Sequence, residues 1–218
     1  MPHRPRRRAR RLAPLLIAGI ATAAAAATAQ TFNDAPPNAP HQTPAFAGQT
    51  RAPVIDDAIP LARETLARLE HPWGMDELPD GRWLVTERPG RMRIIGLDGT
   101  RSAPIEGLPA VFSGGQGGLL DVALRADFAE TRRVWWSYAE PRDGGRNATA
   151  VATGVLSADE TRMDDVAVIF RQEPAWASAL HFGSRLVFDR DGALFVTTGE
   201  RSNRQARVLA QDVSTHLG

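Results

Sequence analysis

A histidine and a glutamate stand at opposite ends of a segment with the pattern of a β-hairpin. His181 directly precedes one predicted strand and Glu200 follows the next, with a turn at Asp191 and Gly192 between them. Histidine is the side chain best suited to take a proton near neutral pH, and a carboxylate bonded to one ring nitrogen fixes the tautomer that does so. We therefore predict a general base, His181, supported by Glu200.

Both residues also have ordinary structural interpretations. A lone histidine beside a strand is more often structural than catalytic. Glu200 could pair on the surface with Arg201 or Arg204, a contact that contributes little to stability. The other four histidines show no spacing such as His-x-His, so a zinc site is not supported.

A glycine-rich segment supplies a second candidate site. Four glycines surround Gln116 in residues 114–118, and two leucines then begin a predicted strand. Glycines allow a tight loop and a close approach of the backbone to a flat ligand, and the Gln116 amide can donate and accept hydrogen bonds. A turn between two sheets explains the same residues equally well. The chain contains no lysine, which excludes a Walker-type phosphate loop and Schiff-base chemistry.

Three hairpin patterns are available to position these side chains. Each consists of an apolar stretch, a turn containing an acidic residue, and a second apolar stretch rich in Val, Phe, Trp or Thr. They cover residues 73–86, 119–138 and 185–197. The third lies between His181 and Glu200, so antiparallel pairing of its strands would bring these two residues together.

The spacing of the hairpins predicts an all-β fold of the β-propeller type. Hairpin units recur at roughly 40 to 60 residues, which favours propeller blades over the alternative, a β-sandwich. Helical periodicity is confined to Leu61 to Leu69, where a brief amphipathic helix is predicted. At roughly 45 residues per blade, residues 54–218 provide only the first three to four blades. We therefore hypothesise that the chain is the N-terminal part of a longer protein.

Residues 1–29 have the layout of a secretory signal peptide. Six arginines and no acidic residue fall within positions 1–12, an apolar run covers residues 12–27, and small residues follow up to Ala29. We predict cleavage after Ala29 and export to the periplasm. The alternative, a retained amphipathic anchor, is disfavoured because the apolar run has no polar face. Residues 30–53, rich in Pro, Ala, Thr, Asn and Gln, are predicted to form a disordered leader.

Charge and cysteine content exclude several classes of partner. Without the six N-terminal arginines, 20 basic residues remain against 25 acidic ones, so the mature chain has no electrostatic footprint for nucleic acid. Membrane association is not expected after signal cleavage. The absence of cysteine excludes disulfides and thiolate metal sites. The glycosylation sequon at Asn147 is interpreted as a chance match.

Several short phrases of the chain belong together: His71-Pro72-Trp73, Pro79-Asp80-Gly81, residues 85–90, residues 114–122, Asp127-Phe128, residues 181–188 and Gly199-Glu200-Arg201. Together they resemble the glucose/sorbosone dehydrogenase family, in particular its periplasmic aldose sugar dehydrogenases. The resemblance covers about residues 69–218, in the expected order. It implies a six-bladed propeller that holds pyrroloquinoline quinone (PQQ) and calcium. Such a protein oxidises the anomeric carbon of an aldose sugar to a lactone and passes the electrons to a periplasmic acceptor.

The resemblance also implies roles for four residues of this chain. His181 corresponds to the general base that takes the proton of the C1 hydroxyl while hydride passes to the quinone, and Glu200 to the acid that orients it. Gln116 corresponds to the amide that contacts the bound quinone. Gln205 lies near the position of a polar residue that faces the sugar.

Two departures from the family pattern bear on activity. Leu180 stands where some relatives carry Asp or Asn before the histidine. The family's Arg-Asn phrase, its later arginines and its calcium ligands are expected beyond Gly218, so the chain as written is expected to be an inactive fragment that does not bind the quinone. The alternatives are a calcium-dependent propeller lactonase, which needs metal-binding carboxylates near the axis, and a non-catalytic binding propeller.

Overall fold

The computed structural model describes residues 39–46, 49 and 60–217. The chain divides into two units, Met1–Ala62 and Arg63–Gly218. Within the described part of the first unit, residues 39–46 contain turns and bends. The predicted signal peptide and most of the predicted leader lie outside the described residues, so both stay predictions.

Antiparallel β-strands dominate the second unit. Two short α-helices accompany them, α1 (Phe128–Thr131) and α2 (Arg204–Arg207). No helix in residues 39–46, 49 and 60–217 has the length and apolar character needed to cross a membrane. The strands are β1 (Pro72–Glu77), β2 (Trp83–Glu87), β3 (Arg91–Ile95), β4 (Leu119–Leu124), β5 (Arg133–Arg142), β6 (Arg146–Leu156), β7 (Met163–Arg171), β8 (Gly183–Phe188) and β9 (Leu194–Thr198).

The strands form three sheets in which every strand pairs with its neighbour in sequence. The orders are β1-β2-β3, β4-β5-β6-β7 and β8-β9, and every pairing is antiparallel. A β-sandwich of the Greek-key type would join strands of different hairpins, and the described strands show no such crossover. Successive sheets of consecutive strands are the blades of a β-propeller, as predicted.

The first strands of the three sheets lie next to one another, since β1 contacts β4 and β4 contacts β8. Large apolar side chains fill the space between consecutive sheets. Between the first and second sheets they include Leu84, Met92, Ile94, Leu119, Val122, Trp136 and Tyr138. A second cluster packs the second sheet against the third through Ala123, Val151, Trp135, Leu186, Phe188 and Val196. The blades are therefore held together by burial of apolar surface.

The three predicted hairpins are confirmed, and the third shows why its turn forms. Strand β8 is followed by Asp189, whose Oδ1 accepts hydrogen bonds from the backbone N–H groups of Asp191 (3.0 Å) and Ala193 (2.8 Å). Gly192 has a φ of 88°, in the left-handed region that glycine adopts without steric cost. The acceptor at Asp189 and the glycine at position 192 lie within four residues of each other, so this hairpin is encoded locally.

The predicted helix from Leu61 to Leu69 is wrong. The structure shows an irregular segment there, with Leu61 90% and Leu66 40% exposed. A nine-residue helix is marginal on its own and forms only when its apolar face is buried. Instead, the backbone carbonyl of Arg68 accepts a hydrogen bond from Arg101 Nη1 at 3.2 Å. A hydrogen bond to a residue outside the segment therefore holds this end of it, where a helix would have internal hydrogen bonds.

A buried carboxylate connects the second sheet to the third. Asp121 on β4 is almost fully buried and accepts hydrogen bonds from Arg185 Nη1 at 2.9 Å and from the Leu186 N–H at 2.8 Å. Burial raises the pKa of Asp121. The hydrogen bond from Leu186 and the charge of Arg185 act in the opposite direction, but the pKa is raised overall. The contact fixes β8 beside β4, and β8 directly follows the loop that carries His181.

A second buried carboxylate, Glu87 on β2, makes the stability of the first sheet dependent on pH. Its side chain is 1% exposed and accepts hydrogen bonds from Arg91 Nε (2.8 Å), Arg93 Nε (2.9 Å) and the Glu70 N–H (2.6 Å). Burial by itself raises the pKa of Glu87, but these hydrogen bonds prevail and lower it from 4.5 to about 2. Because the pKa is lower in the folded state, this stabilisation is complete above pH 4.5 and is lost as the pH falls towards 2.

We expect Glu87→Gln to lower the free energy of unfolding by about 2–4 kcal/mol at pH 7, because Arg93 loses its charged partner and Arg91 keeps only Glu70. Urea unfolding at several pH values measures the effect, and the difference from the wild type should shrink between pH 4.5 and pH 2. Glu77→Gln, at an exposed position of β1, is the matched control and should change little. A difference for Glu87→Gln that stays constant with pH would contradict the assignment.

Candidate functional site

The hairpin β8–β9 brings His181 and Glu200 together, as the sequence predicts. Gly183 at the start of β8 pairs with Thr198 at the end of β9, so the residues just outside the two strands are neighbours. His181 Nδ1 lies 2.7 Å from Glu200 Oε1 and 2.9 Å from Oε2. Among the described residues, neither Arg201, which is fully buried, nor Arg204 forms the alternative surface pair with Glu200. A longer ion pair joins Glu200 Oε1 to Arg207 Nε at 3.7 Å.

Glu200 determines where the imidazole carries its proton. The glutamate side chain is 24% exposed and that of His181 43%. Burial raises the pKa of Glu200, but the hydrogen bond from His181 and backbone hydrogen bonds outweigh it, so the pKa is lowered overall. An ionised carboxylate only accepts hydrogen bonds, so Nδ1 is the protonated nitrogen of the neutral ring. The lone pair on Nε2 is then available to take a proton.

Gln116 contacts the histidine through the backbone. Its Oε1 accepts a hydrogen bond from the His181 N–H at 2.8 Å, and its own N–H donates to the Ala179 carbonyl at 2.8 Å. The glycine-rich loop is therefore joined to the loop of the predicted base, as expected for a shared site. Because the amide oxygen is already engaged, the Gln116 side chain has its NH₂ group left to donate to a ligand.

The glycines of this segment allow a tight loop, as predicted. At Gly115, with a φ of 56°, a Cβ would lie 2.6 Å from the Ala179 carbonyl oxygen. At Gly118, with a φ of 144°, a Cβ would overlap the backbone of Arg88. These two glycines allow the loop to pack against its own chain, and at neither position does the missing Cβ leave open space for a ligand.

A small cavity opens beside the histidine. Its volume is about 210 Å³. His181 and Gln116 supply polar edges and aromatic rings supply apolar walls. The lining residues are Trp73, Gln116, Leu120, His181, Phe182 and Gly183. A polar edge with a proton acceptor and an amide donor, set against apolar walls, is suited to a small ligand that exchanges a proton.

Gln205 is not among the residues that line this cavity. It lies on α2, is exposed, and its backbone N–H is capped by Asn203 Oδ1 at 2.9 Å. Within the part of the chain that the structure describes, its side chain makes no hydrogen bond. Contact of Gln205 with a sugar stays a prediction.

Side chains of the second sheet hold the loop that carries His181, and sequence reasoning missed them. Thr149 Oγ1 on β6 donates to the Phe182 carbonyl at 2.7 Å, and Ser137 Oγ on β5 donates to the Ser184 carbonyl at 2.7 Å. His181 and Ser184 have φ values of 49° and 86°, so this segment leaves the regular ladder and needs other donors. Polar residues at buried positions of predicted strands are the signal that would have indicated them.

The sequon residue Asn147 is also part of this support. It is 1% exposed, and its Oδ1 accepts a hydrogen bond from Arg201 Nη2 at 2.6 Å. An amide buried in this way is not accessible to a glycosylating enzyme. The sequon therefore has a structural role, in agreement with its interpretation as a chance match.

Comparisons of sequence and of structure with known proteins both find sugar dehydrogenases. The sequence model of the Glucose / Sorbosone dehydrogenase family matches residues 69–218. Aldose sugar dehydrogenase YliI of Escherichia coli K12 is 46% identical over 152 residues, which cover 69% of this chain and 40% of the relative. The chain thus spans about 40% of the length of the curated relatives it matches.

Solved structures of this kind have the same fold. The apo-form of soluble aldose sugar dehydrogenase from E. coli has a TM-score of 0.64 and 45% identity, covering 69% of this chain and 43% of that one. The PQQ-bound form of aldose sugar dehydrogenase from Streptomyces coelicolor has a TM-score of 0.62 and 25% identity, covering 71% and 45%. The propeller blades, the His181–Glu200 pair at the end of the β8–β9 hairpin and the sequence match all agree. The chain belongs to the glucose/sorbosone dehydrogenase family.

Proposed function

We propose that a protein containing this chain oxidises the C1 hydroxyl of aldose sugars to lactones with PQQ as electron acceptor. The observation that carries the proposal is the hydrogen-bonded arrangement of His181, Glu200 and Gln116 beside one cavity. The names of the relatives support it, since they include aldose sugar dehydrogenases and a PQQ-bound form.

His181 has the geometry of the base in this reaction. An aldose becomes a lactone when the C1 hydroxyl loses a proton and C1 loses a hydride. The free Nε2 of His181 takes the proton, and the Glu200 carboxylate at Nδ1 stabilises the imidazolium that results. Holding the base beside the reacting carbon contributes to the rate by positioning.

The residues around the cavity fit one face of a flat, polar acceptor. Trp73 and Phe182 form apolar walls, and the Gln116 NH₂ is a donor at the polar edge. When bound, PQQ supplies the two-electron acceptor for the hydride. We assign to Gln116 the contact with this group and to His181 the proton transfer.

Calcium has no comparable support from the described residues. In residues 39–46, 49 and 60–217, no three His, Asp or Glu side chains are grouped to hold a metal ion. We propose, as the resemblance implies, that the ligands lie beyond Gly218, and no step above depends on calcium. Export to the periplasm after cleavage at Ala29 belongs to the same proposal and rests on the N-terminal sequence.

Dye reduction by the full-length protein tests the proposed function. We expect aldose-dependent reduction of an artificial electron acceptor when PQQ and calcium are added, and none when PQQ is omitted. Hydrolysis of sugar lactones without dye reduction would instead indicate a propeller lactonase. Absence of both reactions, with PQQ bound or unbound, would contradict an enzymatic role for the site.

A further inference from the structure

Arg201, next to Glu200 in sequence, is the one arginine among the described residues that is fully buried. Its guanidinium Cζ lies 3.6 Å from the centroid of the Phe182 ring. Within this part of the chain no carboxylate forms a salt bridge with it, and its Nε has no hydrogen-bond partner. Burial lowers the pKa of Arg201 to about 10. A buried cation without an ionic partner is costly, so its other contacts are expected to compensate.

Those contacts are made with the loop of the predicted base. Arg201 Nη2 donates to the Ser178 carbonyl at 2.6 Å and to Asn147 Oδ1 at 2.6 Å, and Nη1 donates more weakly to the His181 carbonyl at 3.5 Å. In return, Ser178 Oγ donates to the Arg201 carbonyl at 2.5 Å. Ser178 and His181 bracket the segment that carries the imidazole, so one guanidinium holds both of its ends.

Both loops joined by Arg201 have backbone conformations that non-glycine residues rarely adopt. The φ values are 49° for His181, 64° for Arg201 and 50° for Ser202. Such backbone conformations are strained and persist only when surrounding contacts hold them. Without the guanidinium, fewer contacts would prevent the backbone of the two loops from relaxing to less strained conformations. The Nδ1 to Oε1 distance of 2.7 Å between His181 and Glu200 depends on both loops at once.

We propose that Arg201 is a positioning residue for the His181–Glu200 pair, which it acts on by holding the two strained loops together through the Ser178 and His181 carbonyls. The pair is thereby assembled before a ligand arrives. The consequence for turnover rests on the proposed function, whereas the consequence for the imidazole does not.

The test uses Arg201→Met, which keeps an apolar stem against Phe182 and removes the donors, and Arg201→Lys, which keeps the charge and loses the planar fork. Arg190→Met, at an exposed position on the β8–β9 turn, is the matched control. Ring ¹⁵N shifts of histidine-labelled full-length protein report the tautomer of His181. We expect one Nδ1–H form in the wild type and the control, averaged tautomers in Arg201→Met, and an intermediate result in Arg201→Lys.

Turnover of the PQQ-loaded full-length protein gives the second measurement. Arg201→Met should lose about 100-fold in kcat with KM changed less than about threefold, because misplacing the base affects the chemical step. Unchanged His181 ring shifts in a folded Arg201→Met variant overturn the proposal, as does loss of the whole fold in both variants. If the wild type shows the single tautomer but no dye reduction, the proposed function fails while the positioning role stands.

Discussion

His181→Ala is expected to lower kcat for aldose oxidation by about 10²–10⁴-fold, the usual contribution of a positioned general base. The substitution removes the Nε2 that takes the hydroxyl proton. It leaves the backbone N–H of residue 181, which donates a hydrogen bond to Gln116 Oε1. Binding of PQQ should therefore be retained. Dye reduction measures the rate, and an absorbance titration with PQQ measures binding.

The control for this variant is His216→Ala. That imidazole is exposed, does not line the cavity, and accepts a hydrogen bond only from the Glu173 N–H at 2.9 Å in the described part of the chain. Its turnover should stay within about twofold of the wild type. Dye reduction at the wild-type rate by His181→Ala would end the assignment of the base.

Glu200→Gln is expected to lower kcat by about 10²–10⁴-fold, although it only replaces one carboxylate oxygen by an NH₂ group. The carboxylate accepts from Nδ1 at 2.7 Å and so keeps the proton on that nitrogen. An amide can donate its NH₂ to Nδ1 instead, which moves the proton to Nε2 and blocks the lone pair that acts as base. It also lacks the charge that stabilises the imidazolium. KM should change much less than kcat, because the defect lies in the proton transfer.

The double variant His181→Ala/Glu200→Gln separates this role from a structural one. Glu200 acts through the imidazole, so the double variant should be no slower than His181→Ala alone. Glu130→Gln, at an exposed position on α1, is the matched control and should keep wild-type turnover. Multiplication of the two single losses would show that Glu200 contributes independently of His181 and would contradict the pairing.

The hairpins could be predicted because their signals are local. At Asp189 and Gly192, the side-chain acceptor and the left-handed backbone lie within four residues of each other. The same locality made His181 and Glu200 predictable as a pair, since antiparallel strands bring the two ends of one hairpin together. The amphipathic pattern from Leu61 to Leu69 failed because helix formation depends on a surface to pack against, and that surface is remote in sequence.

Other parts of the site could not be predicted because they depend on contacts between sheets. Arg201 looks like a surface partner of Glu200 in sequence, yet Asn147 and Ser178 hold it in the interior. Thr149 supports the Phe182 carbonyl from a different sheet, 33 residues away in the chain. No local pattern distinguishes such a threonine from any other residue of a β-strand.

The sequence by itself determined the order of the strands, the three hairpins and the residue types that can transfer a proton, because turn chemistry and strand alternation act over a few residues. Only the tertiary structure decided which hydrogen-bond partner each polar group of the site has and which of these groups are buried. The packing of the second and third sheets places the Gln116 oxygen on the His181 N–H and buries Arg201 against Phe182. Hydrogen bonds are directional and buried donors must find acceptors, so these choices follow from how the blades meet.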